Sequence, residues 1–374
     1  CKRGVFLMNK VVLSGYYGFN NAGDEAVLQA IINSLKKADQ DLDITVLSNN
    51  PEHTTKAYGV KAVNRWKLNE IAGAIKESDL LISGGGSLLQ DVTSKNGILY
   101  YLGIIGLARF YKKPVVIYSQ GIGPVNTKRN RWLVAKTLNK TQGITVRDEQ
   151  SKEELLKMGV KKEIIVSADP VLGFNPDDTS ITKGLELLER GGVKLDDKGK
   201  ILGVSLRPWK ADAANFQAIA QACDKLIERG WQIVFIPMHF PEDIAVAREI
   251  TKGMKREAQI LKENYSPTET LDLYKTVDLV LGMRLHALIM AAVVEKPLVP
   301  ISYDPKVDSF MKLLDIDNSL QINNLHTQEL INSIETTWKN KEKIVQDLKE
   351  KTVILRQQAI KPTEMVMELL TAQK

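Results

Sequence analysis

Short runs of β-branched and other apolar residues alternate with amphipathic helical patterns along most of this chain. In the first half these runs are VVLSG (11–15), ITVLS (44–48), LLIS (80–83), VVIYS (115–119), ITVRD (144–148) and IIVSA (164–168). Between the first two runs, Leu28, Ile31 and Leu35 share one face of a helix. Continuous apolar strands separated by helices are typical of a parallel sheet covered on both faces.

The alternation lapses in the middle of the chain, where residues are polar and include Gly, Pro and Asp clusters, and then resumes. The later runs are ILGVSLR (201–207), IVFIP (233–237), DLVLG (278–282) and PLVPIS (297–302). A length of 374 residues also suits two domains. We predict a Rossmann-like N-terminal domain over 8–172, a linker with one short helix over 173–200, a Rossmann-like C-terminal domain over 201–326, and a helical tail over 327–374. We expect Pro362 to interrupt this tail and the tail to pack back across the first domain.

The predicted fold class is therefore α/β, with two facing, doubly wound parallel-sheet domains and a central cleft. Ligands of such folds bind outside the carboxyl ends of the strands. The junctions between strands and loops are consequently where functional residues are expected.

Composition narrows the class of protein. Hydrophobic residues make up 44% and charged residues 26%, as in an ordinary soluble domain. No run of about 18 apolar residues occurs, so we expect no membrane span. Cys1 and Cys223 offer neither a disulfide framework nor a metal cluster, which suits a reducing compartment. The first ten residues are too short and too weakly apolar for a secretory signal, and we expect a cytoplasmic protein. Met8 is a candidate natural start, with residues 1–7 as a candidate leader.

The net charge of +6 suits attraction to nucleic acid, anionic lipid or phosphorylated substrates, and the alternative for most lysines is a solvated surface. No basic block is interleaved with aromatic residues, so nucleic acid is not a predicted partner. Two basic stretches, KKP (112–114) and KRNR (128–131), suit a peripheral contact with anionic headgroups at the inner membrane face. The alternative for both stretches is a solvated surface.

The first junction is SGYYGFNNAGDEAVLQA (14–30), in which a glycine-containing loop leads to a helix opening near Asp24. Its spacing is not that of a dinucleotide fingerprint, and the acidic pair Asp24 and Glu25 opposes phosphate binding at this helix start. Asp24 either caps the helix or serves as a general base. In the second case Asn20 and Asn21 would meet substrate hydroxyls.

The second junction is ISGGGSLLQD (82–91), and the loop after the next strand adds Gln120. Backbone N–H groups at Gly85 and Gly86, together with Ser87, are suited to hold an anion or a sugar. The alternative is a tight turn between a strand and a helix, although consecutive glycines cost chain entropy.

Arginines and histidines stand where later strands end. They are Arg147 in TVRDE, Arg207 in VSLRPW, His239 in FIPMHFPED, and Arg284 and His286 in LGMRLHA. Arginine suits bidentate anion recognition and stays charged when desolvated, so several at one site indicate a ligand with more than one anionic group. We find no ligand set for a metal and no P-loop, serine elbow or H-E-x-x-H motif.

Structural alternatives exist for these residues. Arg147 could pair with its neighbour in the sequence, and His239 could cap backbone groups of its loop. Arg284 could pair with Asp278 or Asp304, and His286 could be a satisfied core histidine.

The motifs, taken in order, resemble the polysaccharide pyruvyl transferase family, and most closely the bacterial enzymes that pyruvylate cell-wall polymers. They are GYYGFNNAGDEA (15–26), SGGGSLLQD (83–91), SQGIGP (119–124), VRDEQS (146–151), SADP (167–170), VSLRPW (204–209), IPMH (236–239) and LGMRLHALIMA (281–291). Single motifs are weak, but the ordered set is specific and spans nearly the whole chain.

The resemblance implies a GT-B-like fold, with an acceptor side in the N-terminal domain and a donor side in the C-terminal domain. It implies phosphoenolpyruvate as co-substrate without a further cofactor, and a pyruvate ketal on a sugar as product. For the cell-wall branch the acceptor is a lipid-linked N-acetylmannosamine residue, and the decorated polymer anchors S-layer proteins. The donor contacts carried over are Arg284, Leu285 and His286, with Arg147 as an upstream arginine and Arg207 as the other candidate. From the residues of the junctions themselves we predict the acceptor or loop contacts, which are Asn20, Asn21, Gly85, Gly86, Ser87, Gln120 and His239.

The residue types fit this chemistry. We hypothesise that His286 protonates the donor or contacts its phosphate, because imidazole titrates near neutral pH, and that Asp24 is the base. The alternatives are a nucleotide-sugar glycosyltransferase or epimerase on the same architecture and a sugar-binding protein without enzymatic activity.

Overall fold

A computed structural model describes residues 8–92, 97–195, 199–209, 213–317 and 319–372. Cys1 and the rest of the candidate leader before Met8 lie outside the described residues. The chain divides into two compact units. Unit 1 takes the described residues of Cys1–Phe19, Val27–Gly173 and Leu355–Lys374, and unit 2 takes those of Asn20–Ala26 and Phe174–Ile354.

Unit 1 is built on a seven-stranded parallel sheet with the order β3-β2-β1-β4-β5-β6-β7. The strands are β1 (Lys10–Ser14), β2 (Asp43–Ser48), β3 (Lys61–Asn64), β4 (Leu80–Gly84), β5 (Val115–Gln120), β6 (Gly143–Val146) and β7 (Ile165–Val166). The helices that follow them are α1 (Ala22–Ala38), α2 (Pro51–Tyr58), α3 (Leu68–Glu77), α4 (Gly97–Phe110), α5 (Lys128–Leu138) and α6 (Glu149–Met158).

Unit 2 is built on a six-stranded parallel sheet with the order β10-β9-β8-β11-β12-β13. The strands are β8 (Lys200–Ser205), β9 (Trp231–Phe235), β10 (Gln259–Ile260), β11 (Leu279–Gly282), β12 (Leu298–Ser302) and β13 (Leu320–Gln321). The helices are α7 (Ile181–Arg190), α8 (Ala213–Glu228), α9 (Glu242–Gly253), α10 (Pro267–Thr276), α11 (Leu285–Val293), α12 (Pro305–Leu313), α13 (Thr327–Lys339) and α14 (Lys341–Thr371).

Both sheets have the Rossmann strand order, 3-2-1-4-5-6, when the strands of each unit are counted from its first. The order reverses between β1 and β4 in unit 1 and between β8 and β11 in unit 2, and ligands bind at such switch points. Strands β4, β5 and β11 are buried along their whole length, which matches their continuous apolar sequences. The predicted class of two parallel-sheet α/β domains is confirmed.

The predicted strand list omitted β3, β10 and β13. Each of these has two to four residues. β3 and β10 contain no fully buried residue. Of the two residues of β13, one is buried and the other is exposed. Short edge strands carry little of the apolar signal that marks a central strand, and the sequence therefore does not reveal them.

The predicted linker contains α7, which packs closely on α10 within unit 2. The backbone N–H of Ser180 donates to Asp272 Oδ1 at 2.7 Å. At Gly184 the backbone lies so close to α10 that a Cβ would overlap Thr276. The described residues of this stretch from Phe174 onward consequently belong to unit 2.

The last helix differs from the expectation in one respect. Pro362 lies inside α14, and the helix continues through it to Thr371, so the predicted interruption was wrong. Proline costs a helical hydrogen bond, but packing of the flanking turns offsets this loss. Ala359, Thr363 and Val366 are all buried. The residues from Leu355 onward belong to unit 1, as expected for a tail that packs on the first domain.

Polar contacts accompany this packing. Thr363 Oγ1 is 2.7 Å from Ser34 Oγ and 2.7 Å from Tyr118 OH. Tyr118 is fully buried, and this burial raises its pKa to about 12, although its hydrogen bond to Thr363 acts in the opposite direction. None of the helices in the described part of the chain has both the length and the apolar character needed to cross a membrane.

We predict that Thr363→Val destabilises the protein by about 1–3 kcal/mol, because it removes the buried hydrogen bonds of Thr363 Oγ1 to Tyr118 OH and to Ser34 Oγ. The matched control is Thr371→Val in the same helix, where the hydroxyl is exposed and donates to Met367 O. Urea unfolding followed by circular dichroism measures both variants. Equal midpoints for the two variants would contradict the prediction.

Candidate active site

The segment Asn20–Ala26 belongs to unit 2, although the strand before it lies in unit 1. Asn21 forms an antiparallel bridge with His239. The backbone N–H of Ala22 donates to Met238 O at 2.7 Å, and that of Phe240 donates to Asn20 O at 3.3 Å. The first junction of the sequence is thereby joined to the loop after β9, and two predicted contacts, Asn21 and His239, lie side by side.

This segment also fixes the start of α1. Asn20 has a φ of 56°, a left-handed conformation that asparagine tolerates better than most residues. The helix begins at Ala22, and Asn21 Oδ1 accepts a hydrogen bond from Gly23 N at 3.1 Å. Asn21 therefore caps the helix, and the alternative that gave this role to Asp24 was wrong. Asp24 is half-buried in the first turn.

Four neighbouring strands of unit 2 are each followed by a charged or polar side chain at one edge of the sheet. Arg207 follows β8, His239 follows β9, Arg284 follows β11, and Tyr303 follows β12. Gly282 of β11 is paired with Ser205 of β8. The two arginines therefore stand on either side of the switch point of this sheet, which is the usual ligand-binding position of the fold.

Asp243 of α9 organises this edge. Its carboxylate accepts hydrogen bonds from Met238 N at 3.0 Å, from His239 N at 2.9 Å and from Arg284 Nε at 3.0 Å. Arg284 Nη2 makes a second bond to the other oxygen, so the pair is bidentate. The side chain of Asp243 is 1% exposed and that of Arg284 is 15% exposed.

The sequence had suggested two other acidic partners for Arg284, and both are used elsewhere. Asp278 accepts from the backbone N–H of Ile201 at 2.7 Å, and Asp304 caps α12 through Lys306 N at 3.1 Å. Asp243 is thus the residue that sequence reasoning missed. Its only signal was its place in FIPMHFPED, four residues after His239.

His286 lies in the first turn of α11, directly after Leu285, which is buried. Its imidazole packs on the backbone of Gly23, where a Cβ would overlap the ring. Gly23 precedes Asp24 in the chain. The two residues predicted to act as acid and base are consequently brought to one part of unit 2, and glycine is required between them by close packing rather than by turn geometry.

Arg207 is held by aromatic residues. Its Nη1 donates to Tyr303 OH at 2.8 Å, and its guanidinium carbon lies 4.6 Å from the centre of that ring. Trp209 meets the same ring edge-on at 5.1 Å. Arg207 Nε is buried without a hydrogen-bond partner among the described residues. This arrangement fixes the guanidinium while leaving part of its hydrogen-bonding capacity unused.

Arg147 lies in unit 1 and is surrounded by acceptors. Its guanidinium donates to Asp148 at 3.3 Å, to Asp169 at 3.4 Å and to Ser87 Oγ at 3.3 Å. It also lies against Gly121, where a Cβ would be 2.6 Å from Arg147 Cζ. The expected structural pairing with Asp148 is present, while the predicted donor contact of Arg147 stays a prediction.

The glycine-rich loop after β4 serves packing as well. A Cβ on Gly85 would overlap Val27 of α1, and Gly86 has a φ of +77°. Gly86 O accepts a hydrogen bond from Gly121 N at 2.9 Å. Gln120 is fully buried, with its amide donating to Ser83 O at 3.0 Å and to Ser83 Oγ at 2.8 Å. For Gln120 this geometry favours a structural role over the predicted contact with an acceptor sugar.

We predict that Asp243→Ala destabilises the protein by about 3–5 kcal/mol, because it leaves a largely buried guanidinium and two backbone N–H groups without an acceptor. Glu242→Gln, one residue earlier, is the control. Its carboxylate is about half exposed and pairs only weakly with His239, at 3.5 Å. Urea unfolding compares the two, and a loss below about 1 kcal/mol for Asp243→Ala would argue against the organising role of this carboxylate.

Comparison with known proteins adds relatives of several kinds. The chain is 23% identical to the amylovoran biosynthesis protein AmsJ of Erwinia amylovora, over 91% of this chain and 94% of that protein. Among solved structures, HepE of Anabaena in complex with UDP-glucose superposes with a TM-score of 0.66 at 17% identity, covering 97% of this chain and 99% of that one. The UDP-GlcNAc 2-epimerase of Methanocaldococcus jannaschii has a TM-score of 0.63 at 15% identity, covering 89% and 93%.

The structural likenesses lie below 25% identity and concern the fold alone, which is that of GT-B-like glycosyltransferases and epimerases. A sequence model of the family described as polysaccharide pyruvyl transferase matches residues 21–305. This range contains both the segment that packs on His286 and the R-L-H motif itself. The chain belongs to the polysaccharide pyruvyl transferase family.

Proposed function

We propose that the protein transfers the pyruvyl group of phosphoenolpyruvate to a saccharide, forms a pyruvate ketal and releases phosphate. The observation that carries this proposal is the group at the switch point of unit 2, where Arg284, His286 and Arg207 follow neighbouring strands. Family membership supports a pyruvyltransferase in polysaccharide biosynthesis. The relative AmsJ, an amylovoran biosynthesis protein, is also a polysaccharide biosynthesis protein.

The charges of this group suit a donor with a carboxylate and a phosphate. Asp243 engages Nε and Nη2 of Arg284, which leaves Nη1 for a ligand. Because Asp243 neutralises Arg284, the net positive potential comes from two other sources. They are Arg207, held on Tyr303, and the N-terminus of α11, whose first residues follow Arg284 directly. Phosphoenolpyruvate offers one anionic group to each.

Proton transfers complete the proposal. His286 protonates the methylene carbon of phosphoenolpyruvate, which becomes a methyl group, and the adjacent carbon becomes oxocarbenium-like. A sugar hydroxyl that loses its proton to Asp24 attacks this carbon. Phosphate then leaves with cleavage of its C–O bond, and a second hydroxyl of the same sugar closes the ketal. The sugar loses two hydroxyl protons in total. One replaces the proton that His286 gave to the methylene carbon, and the other leaves with the phosphate.

For the acceptor we propose β-N-acetylmannosamine of a lipid-linked cell-wall polymer precursor, which implies a cytoplasmic enzyme that meets the inner membrane face. The exposed basic residues Lys112, Lys128 and Arg129 of unit 1 support a peripheral contact with anionic lipid. Decoration of such a polymer would serve S-layer anchoring.

We predict that His286→Ala lowers the turnover number by about 10²–10⁴-fold, the usual contribution of a positioned acid, while the fold is kept. The control is His53→Ala, an exposed histidine of α2 in unit 1, which should act like the wild type. The measurement is phosphate release from phosphoenolpyruvate in the presence of the acceptor, with mass spectrometry for one added pyruvyl unit. Turnover of UDP-glucose, without phosphate release from phosphoenolpyruvate, would favour the nucleotide-sugar alternative.

We also predict that Gly23→Ala lowers activity strongly, because the new methyl group displaces the imidazole of His286. Gly73→Ala provides a matched control, since this glycine of α3 is exposed and a Cβ there meets no atom within 4 Å. In a helix that change should stabilise by about 0.5–1 kcal/mol and leave turnover unchanged. Wild-type turnover in Gly23→Ala would remove the contact with His286 from the mechanism.

A further inference from the structure

An aromatic cluster at one edge of the unit 1 sheet is not used by the reaction described above. Its centre is Arg65, which follows β3 and is buried. The guanidinium carbon of Arg65 lies within 4.5–5.6 Å of the centres of four rings, those of Phe19, Trp66, Tyr100 and Tyr101. Arg65 Nη1 also donates to Gly15 O at 2.7 Å, so the cation is fixed beneath the rings.

Trp66 is the exposed member of this cluster, with 62% of its surface accessible. Its orientation is nevertheless fixed. The indole Nε1 donates to Asn49 Oδ1 at 2.8 Å, the backbone N–H donates to Asn64 Oδ1 at 2.9 Å, and the ring lies 5.8 Å from that of Tyr100. An indole whose single polar atom is satisfied within the protein presents a rigid apolar face to solvent.

This face lies on the side of the sheet where the strands end, which is the ligand-binding side of the fold. Trp66 follows β3 and Asn49 follows β2, while Tyr16 and Phe19, stacked at 4.0 Å, follow β1. These three strands are neighbours in the sheet, so the cluster lies at their carboxyl ends.

We infer that Trp66 and the rings around Arg65 form a platform for a pyranose ring of the acceptor saccharide. The C–H face of a pyranose is apolar and similar in size to an indole, while its rim of hydroxyls needs polar neighbours. Lys67 and Asn69, both exposed beside Trp66, supply such groups. Arg65 acts as a positioning residue, because it holds the rings and is itself buried.

This inference rests on the proposed function for the identity of the ligand, but saccharide binding is measurable without the reaction. Saturation-transfer NMR with methyl β-N-acetylmannosaminide, in the absence of phosphoenolpyruvate, gives the affinity. We expect Trp66→Ala to weaken binding by about 10-fold, the change expected from the loss of one aromatic contact, and Trp66→Phe to retain most of it. The removed side chain is largely exposed, so the melting temperature should stay near that of the wild type.

The matched control is Trp132→Ala in α5 of the same unit. Trp132 is 56% exposed, and Lys136 Nζ lies over its ring, 4.4 Å from the ring centre. It should bind the saccharide like the wild type. In the transfer assay, Trp66→Ala should raise the KM for the acceptor and leave the KM for phosphoenolpyruvate unchanged.

Equal saccharide affinity of wild type and Trp66→Ala, or no binding by the wild type, would overturn the inference. The inference would also be overturned if Trp66→Ala weakened binding to phospholipid vesicles but not binding to the saccharide. Failure of the proposed function gives a different experimental result: phosphate is not released from phosphoenolpyruvate, while the NMR titration with the saccharide is unaffected.

Discussion

The carboxylate of Asp243 is the contact on which the candidate site of unit 2 depends. A single buried acid holds the guanidinium of Arg284 and also the backbone of Met238 and His239. The backbone of the same loop forms hydrogen bonds with the segment that starts with Asn20. An arginine at a helix start would otherwise have many rotamers, and its desolvation would be costly. Pairing it with a fixed carboxylate lets the chain place a cation at the edge of the sheet.

The same site illustrates how a glycine can be required for close packing without acting as a hinge. Gly23 has an ordinary backbone conformation, and its role is to let the imidazole of His286 approach the chain. One consequence is that Asp24 is carried to the neighbourhood of His286 by a segment from the other end of the sequence. Acid and base candidates therefore come from stretches far apart in sequence, which is a common arrangement in enzymes built on Rossmann-like sheets.

Much of this could be predicted from the sequence. Alternating apolar runs and helical patterns indicate the two parallel sheets, and parallel topology alone brings Arg207, His239 and Arg284 to one edge. Long-range pairing could not be predicted, because Asp243 is one of several acids near these arginines and periodicity does not distinguish it from Asp278 or Asp304. Local rules also failed where packing prevailed, as in the continuation of α14 through Pro362. The aromatic cluster around Arg65 likewise arises from residues that have no common motif.

The most direct test of the account is a crystal structure with phosphoenolpyruvate, or an unreactive analogue, bound to the whole chain. We expect one anionic group of the donor at Arg207 and the other at the N-terminus of α11, within hydrogen-bonding distance of Arg284 and His286, with the pairing of Arg284 and Asp243 retained. A donor bound away from both residues, for example only at Arg147, would contradict the account.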